Sequence, residues 1–520
     1  MAELLLFSVP LSFLGITIFV LVASAIRRRL LGRVSLLPPG PPGFPMIGNI
    51  SFLFTKSPWL QFTRWHRKYG PIVYIKIAGK SLVILNTAET AFDLLDRRGS
   101  NYTDRPRLIM AGELLAGGVH IGFIPHGPLW RKLRRLSHIS FNSQACEKYF
   151  QTQELEAAFL INRLLNNSPH WEDRIQLFAA SSILTIIYGR PPTTSMKDPL
   201  ILRINNFMDC ILKAAVPGSY WVDVFPVLNL VPSWMAPFKQ FGMRAHQEFT
   251  DLFNQLLWPL PVPQKNTEGK QTFSAKIIDE YQQIGLSEKE ASWLAGVMFG
   301  AGSDTTAAVL VVFVLAMLLN PTIMKKAQQE IDNVVGHDRL PNFTDRVRLP
   351  FINAIVKETL RWKPITPLGL ARQATKDDIY NGYYIPAGSI VMTNVWAMNH
   401  NDEIYKNPST FDPERYLGPD FEELKPGHTR GGTHAFGFGR RVCVGANIAT
   451  NSVFIAIAHI IWAFDIAPSD LAPLPSPDDI IDTGVVVRPA PFCCKFTPRH
   501  QTREHTLDIF LSGETYNDQL

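Results

Sequence analysis

The stretch Phe436-Gly437-Phe438-Gly439-Arg440-Arg441-Val442-Cys443-Val444-Gly445 decides how this chain is read. Glycines before and after the cysteine permit a tight loop that comes close to a flat partner. The apolar run that follows, including Ile448–Ile461, reads as a helix, so Cys443 sits just ahead of a helix start. Helix-start amides and the adjacent Arg440 and Arg441 favour thiolate over thiol. That setting separates Cys443 from an inert core cysteine. The chain holds 5 cysteines, too few for a disulfide scaffold. Cys146 and Cys210 lie in helical text. Cys493 and Cys494 lie in a strand-like run, where alternation sends them to opposite faces and argues against a shared metal. Neither a CxxC pair nor an HExxH helix supports a zinc site.

The second informative stretch is 287–320. Ser287 and Glu290 form a capping box, and Asn320-Pro321 stops the pattern. Such a helix runs roughly 50 Å, enough to cross the body. It is apolar almost all round, hence buried. Its centre nevertheless reads Ala301-Gly302-Ser303-Asp304-Thr305-Thr306. An acid and hydroxyls in mid-helix need partners, and Gly302 weakens the helix by about 1 kcal/mol. Two explanations fit the pattern equally: a structural one, in which the polar groups find partners within the core, and a sharper one, in which small residues leave room for a ligand beside polar groups able to relay protons.

Working outward, residues 4–26 form an uncharged apolar run, followed by Arg27, Arg28 and Arg29. As a helix it spans about 34 Å, enough for a hydrocarbon core. The arginines place the following body on the cytosolic side, and the run is too long for a cleaved signal. No later stretch reads as a second span, so a single anchor is expected. Residues 36–55, with Pro38-Pro39-Gly40-Pro41-Pro42-Gly43, read as a stiff linker. Runs around 72–86 read as a hairpin, most of 90–360 as helices, and 379–393 and 483–497 as further strands. The expected domain therefore covers 56–498, mainly α with small β-sheets, and 499–520 is expected to be a loose polar tail. Charge is modest, 51 Lys+Arg against 45 Asp+Glu, for a net +6, and demands no nucleic acid. Only 18% of the residues are charged, against 46% hydrophobic, which excludes a disordered or collagen-like chain.

F-x-x-G-x-R-x-C-x-G resembles the cysteine loop of the cytochrome P-450 family, the haem-thiolate monooxygenases. Further motifs agree in order: Trp130-x-x-x-Arg134, Ala301–Thr306, Glu358-Thr359-Leu360-Arg361 and Pro413-Glu414-Arg415. The texture is similar to membrane-anchored fungal members that tailor secondary metabolites. Val444 stands where many members carry proline, and Arg372 where fungal relatives often carry histidine. The resemblance implies haem b, with Cys443 as axial ligand of the iron and Phe436 beside its sulfur. It implies Trp130, Arg134, Arg372 and Arg441 around the haem propionates. Ala301 and Gly302 would leave room over the ring, with Thr305 and Asp304 relaying protons and Thr306 bonding back to its own helix. Glu358, Arg361 and Arg415 would form a structural charge network.

The resemblance further implies an NADPH-dependent flavoprotein reductase as electron donor, met by a basic face of Arg131, Lys132, Arg135 and Arg440. It places the protein in the endoplasmic reticulum membrane, single-pass, with the catalytic body cytosolic. Substrate contacts are expected at 104–124, 205–245, Phe299–Val309, 366–371 and Thr483-Gly484-Val485. These segments are apolar, so a lipophilic small molecule is expected, a terpenoid first and an aromatic or polyketide-derived compound next. A haem-thiolate isomerase or haem-binding sensor, needing no reductase, is the competing reading, with a zinc hydrolase behind it.

Overall fold

The computed structural model describes residues 36–166, 170–258, 272–419, 434–470, 472–500, 506–508 and 510–512. The anchor expected over 4–26 lies outside them. Helix α1 (Pro58–Tyr69) starts on a proline and ends at Gly70. It leads into β1 (Ile72–Ile77) and β2 (Lys80–Leu85), an antiparallel hairpin that pairs Ile72 with Leu85 and Ile77 with Lys80. The alternation around 72–86 is thus realised as expected.

The helical body follows: α2 (Pro128–Phe141), α3 (Phe150–Asn166), α4 (Trp171–Tyr188), α5 (Pro199–Ala215), α6 (Pro237–Leu257), α7 (Phe273–Ile284), α8 (Glu288–Leu319), α9 (Pro321–Val334) and α10 (Pro350–Trp362). Proline opens six of these ten helices, α1, α2, α5, α6, α9 and α10, where its missing N–H costs nothing. The α8 capping box forms as read, with Ser287 and Glu290 each bonding the other's backbone N–H. Its residues from Ala307 to Leu318 are all buried, because α8 threads the core between α4, α10 and the later helices.

Strands then return as β3 (Arg372–Gln373), β4 (Asp378–Tyr380), β5 (Tyr383–Ile385) and β6 (Ile390–Thr393). The main sheet has the order β1-β2-β6-β3, with β6 parallel to β2 and antiparallel to β3. Helix α11 (Ala446–Ala463) follows the cysteine loop, and β7 (Phe464–Pro468) pairs with β10 (Cys494–Pro498). A small hairpin, β8 (Ile480–Asp482) with β9 (Val487–Pro489), lies against α8.

Three expectations change. Both α8 and α11 are long and apolar enough to cross a membrane by composition, yet both are buried in the core. Residues 36–55 are not a free spacer: the Tyr74 amide donates to the Pro39 carbonyl at 3.0 Å, and Gly48 bridges to Ile77. Nor is 499–520 wholly loose. Arg499 pairs with Asp332, Leu507 is buried, and Phe510 and Leu511 pack on the main core.

The charge network forms inside the fold. The Arg361 Nε and Nη2 groups donate to Glu358 at 2.7 Å each, and both side chains are fully buried. Remaining Arg361 donors meet the carbonyls of Asn399, Pro408 and Thr410, while Arg415 Nε reaches Glu358 at 3.2 Å. One carboxylate therefore bridges two guanidiniums, Asp412 supplies the second negative charge at 3.8 Å from Arg415, and the group pins α10 to the segment 399–416. Removing one partner of a buried pair leaves the other charge stranded, at about 3–5 kcal/mol. Glu358→Ala is therefore expected to lower unfolding free energy by that amount in a denaturant titration. A loss below about 1 kcal/mol, the range of exposed pairs, would refute this account.

Candidate active site: a cavity walled by Cys443 and four arginines

A cavity of about 380 Å³ opens between α8, α4, the 104–124 segment and the cysteine loop. Cys443 lines it. The residue is solvent-accessible, yet protein encloses it on all sides, so that access runs through the cavity. The loop is held by short bonds: the Cys443 amide donates to the Phe436 carbonyl at 2.9 Å, and Arg134 Nη1 to the Val442 carbonyl at 2.7 Å. Gly439 is obligatory, because its φ is +56° and a Cβ there would lie 2.0 Å from the Leu95 carbonyl oxygen. Burial pushes the Cys443 thiol up, and the Gly445 amide and Arg134 pull it back. The sequence reading credited Arg440 and Arg441. Arg440 is instead exposed, and Arg441 turns away to hold carbonyls, so the cation that favours thiolate comes from α2.

Four guanidiniums share the cavity wall: Arg105, Arg134, Arg372 and Arg441. Arg441 donates to the carbonyls of Thr103, Ile121 and Ile124, and stacks 4.3 Å from the Trp130 ring. Arg372 Nη2 donates to the Phe438 carbonyl, while its buried Nη1 has no partner. Arg105 was missed by sequence reasoning. Its Nε and Nη1 hold the carbonyls of Gly122, Leu370 and Ala371. The only sequence signal was a charge, in Asp104-Arg105-Pro106, inside an apolar contact stretch.

Burial, then mutual repulsion, pushes Arg105 well below its usual value. Burial and the same crowding push Arg441 down to about 9, and burial foremost pushes Arg372 down to about 10. No carboxylate lines the cavity among the described residues. Buried cations without counter-charge are costly. A flat ligand carrying carboxylates, with a centre that binds sulfur, satisfies both the orphaned Arg372 donor and the cysteine.

On the opposite wall, Ala301, Gly302, Thr305 and Thr306 line the cavity. The back-bond expected of Thr306 is made by Thr305 instead, whose hydroxyl donates to the Ala301 carbonyl at 2.8 Å. Asp304 does not line the cavity. Burial pushes its carboxyl up, with Arg488 opposing and Asp209 adding. Gly302 has a packing reason beyond ligand space: a Cβ there would lie 2.8 Å from Ile183 Cγ1 of α4. Sequence reasoning missed the α4 wall altogether, namely Ala179, Ser182, Ile183 and Ile187. Of the proposed basic face, Arg131, Arg135 and Arg440 are exposed, but Lys132 is committed to the Gly285 carbonyl.

A thiol and a ring of unpaid cations around an apolar cavity define a haem-thiolate site. The family profile for cytochrome P-450 matches residues 38–496. The chain is 44% identical over 468 residues to cytochrome P-450 monooxygenase 253 of Postia placenta, covering 89% of each. It is 36% identical to cytochrome P-450 monooxygenase claR of Ampulloclitocybe clavipes, covering 95% of this chain and 92% of that one. A zebrafish cytochrome P-450 solved with abiraterone superposes with a TM-score of 0.70 at 24% identity, covering 85% of this chain and all of that one. The chain belongs to the cytochrome P-450 family. It is a haem-dependent monooxygenase, served by a redox partner and acting on a lipophilic small molecule.

The Gly302 contact is testable. Alanine would gain about 1 kcal/mol in helix propensity but lose 1–3 to overpacking against a stiff, buried isoleucine. Gly302→Ala is expected to lose about 1 kcal/mol net in thermal unfolding. In a double-mutant cycle with Ile183→Ala that loss disappears. Equal losses in both backgrounds would show that Ile183 is not the cause.

Proposed function

We propose that this enzyme performs a tailoring oxidation of a fungal secondary metabolite, with a terpenoid scaffold the first candidate. Support comes from the cavity wall. Ile121, Phe123, Ile183, Met208, Ile211, Val297, Leu370 and Val485 line it, with His120, Ser182 and Thr366 as polar groups between them. Such a wall selects by shape and apolar area.

Haem held here by the Cys443 thiolate would supply the oxygen activation that no side chain can. The chain's own residues position and protonate. Arg105 and the free Nη1 of Arg372 would hold its carboxylates. Arg441, spent largely on carbonyls, locks the 103–124 segment under the Trp130 ring. Arg134 steadies the loop at Val442, and Phe436 flanks the sulfur. Thr305 presents its hydroxyl to the cavity and takes back a hydrogen-bonding role when water or substrate competes with Ala301. Asp304, outside the cavity lining and with its carboxyl raised by burial, holds a proton more readily than a surface aspartate does and is the proposed source for that hydroxyl. Glu358, Arg361 and Arg415 act at a distance, by holding the body that carries the loop.

The electron donor proposed is an NADPH-dependent flavoprotein reductase, docking on Arg131, Arg135 and Arg440. The location proposed is the endoplasmic reticulum membrane, single-pass through 4–26 with the body cytosolic. One surface supports it: Phe44, Met46, Ile47, Phe54, Trp221, Leu230 and Trp234 are exposed, and the β1–β2 hairpin bonds to both segments, through Ala78 to the Ile47 carbonyl and through Lys80 to the Asp223 carbonyl.

The deciding measurement is the absorption spectrum of the reduced protein with carbon monoxide. Wild type is expected to show the thiolate-type band and Cys443→Ala to lack it; a band surviving in the variant would move the ligand elsewhere. With reductase, NADPH and an accepted substrate, Thr305→Ala should lower product formed per NADPH by about tenfold or more, less than the roughly hundredfold low end for a lost proton-transfer group because water still delivers protons.

A further inference from the structure

His120 is a cavity residue that none of the proposed roles uses. It lines the cavity and is partly accessible, yet protein encloses it on every side, so its accessible edge faces the cavity. Its ring stacks on Phe123, with centroids 4.3 Å apart and planes 20° apart. The backbone N–H of Gly122 lies 3.1 Å from Nδ1. A backbone N–H can only donate, so Nδ1 accepts, and the proton of the neutral ring sits on Nε2. No side chain bonds Nε2 among the described residues. Burial foremost, with a contact to the residue's own backbone opposing and Arg105 adding, pushes the imidazolium down to about 4, so the ring is neutral at physiological pH.

The charged groups that share its cavity are Arg105, Arg134, Arg372 and Arg441, all cationic. They further disfavour a charged His120. They also supply stronger donors for any carboxylate than a neutral imidazole does. What remains for the Nε2–H is a neutral acceptor. The other neutral donors of the wall, among them Ser182, Thr305, Thr306 and Thr366, are rotatable hydroxyls, so a ring N–H held by stacking and by the Gly122 amide sets orientation as well as selectivity.

We propose that His120 Nε2–H is the specificity-determining donor of this site, recognising one carbonyl, ether or hydroxyl oxygen on an otherwise apolar substrate. The substrate class thereby narrows from a hydrocarbon to an already oxygenated apolar skeleton. An earlier oxidation, or an oxygen-bearing precursor, must supply it. This inference rests on the reading of the cavity as the substrate site of a haem-thiolate enzyme.

The test uses the ferric holoenzyme and two probes of one shape, trans-decalin and trans-2-decalone, titrated by the shift of the haem absorption band. In His120→Leu the ketone is expected to bind about tenfold more weakly, the worth of one neutral hydrogen bond, while the hydrocarbon changes little. His120→Gln, which retains an N–H donor, should restore part of the difference. Between pH 5.5 and 8 the wild-type preference should stay flat, because the ring is neutral throughout. Nitrogen NMR of the diamagnetic ferrous–carbon monoxide form should show the proton on Nε2.

An unchanged ketone affinity in His120→Leu overturns the proposal. So does loss of haem from that variant, which would assign the donor to the propionates, or a preference that falls as pH rises through about 6.5, which would mark a charged imidazolium. Failure of the underlying reading is separate: wild type itself would then lack the thiolate-type carbon monoxide band.

Discussion

A cluster of buried guanidiniums, with no carboxylate in the cavity wall among the described residues and only partial offset from Asp96 and Asp104 behind it, is the constraint around which this site is organised. Arg105, Arg372 and Arg441 crowd one cavity, and each is depressed by burial. A chain folding for stability alone would not assemble them. Each guanidinium is partly satisfied by backbone carbonyls, which lets it stay buried while keeping charge in reserve. The same bonds do mechanical work. Arg441 ties 103–124 to the cysteine loop, Arg105 ties 122 to 370–371, and Arg134 ties α2 to Val442. Cofactor charge and loop geometry are therefore solved by one set of side chains.

A second set of charges is arranged on the opposite principle. Glu358, Arg361 and Arg415, with Asp412 beside Arg415, balance their charges and fill the remaining donors with carbonyls from 399–416. Nothing is left over for a ligand. The contrast separates a structural ion network from a binding one by donor accounting: Arg361 ends with its Nε, Nη1 and Nη2 all bonded, whereas Arg372 Nη1 is orphaned.

Helix α8 serves both core and cavity, and its composition reflects that. From Ala307 to Leu318 it is core, and around Ala301–Thr306 it is wall. Gly302 belongs to both at once, since Ile183 occupies the space its side chain would take. The small-residue stretch read as ligand space is thus partly a helix-crossing point. Thr305 and Asp304, neighbours in sequence, face different surroundings because successive residues turn by about 100° around a helix. One lines the cavity and the other lies in the field of Arg488.

Much was legible from local pattern alone. The cysteine loop, the capped long helix, the 72–86 hairpin and the Glu358–Arg361 pair follow from spacing rules acting over a few residues, and all formed as read. What escaped was non-local. Arg105 is an ordinary charge in its own segment, and becomes a cavity residue only because 370–371 and 122 close around it. Ser182 and Ile183 look like core in an apolar helix, and only the crossing with α8 turns them to the cavity. The tautomer of His120 depends on one backbone amide two residues away, which a turn supplies and a sequence does not announce. Short motifs thus pointed to the family, to Cys443 as the candidate ligand and to the class of chemistry. Only the tertiary structure decided which buried charges remain unpaid, which arginine acts on the sulfur, and which polar atoms face the ligand, because burial and partner choice arise when distant segments meet.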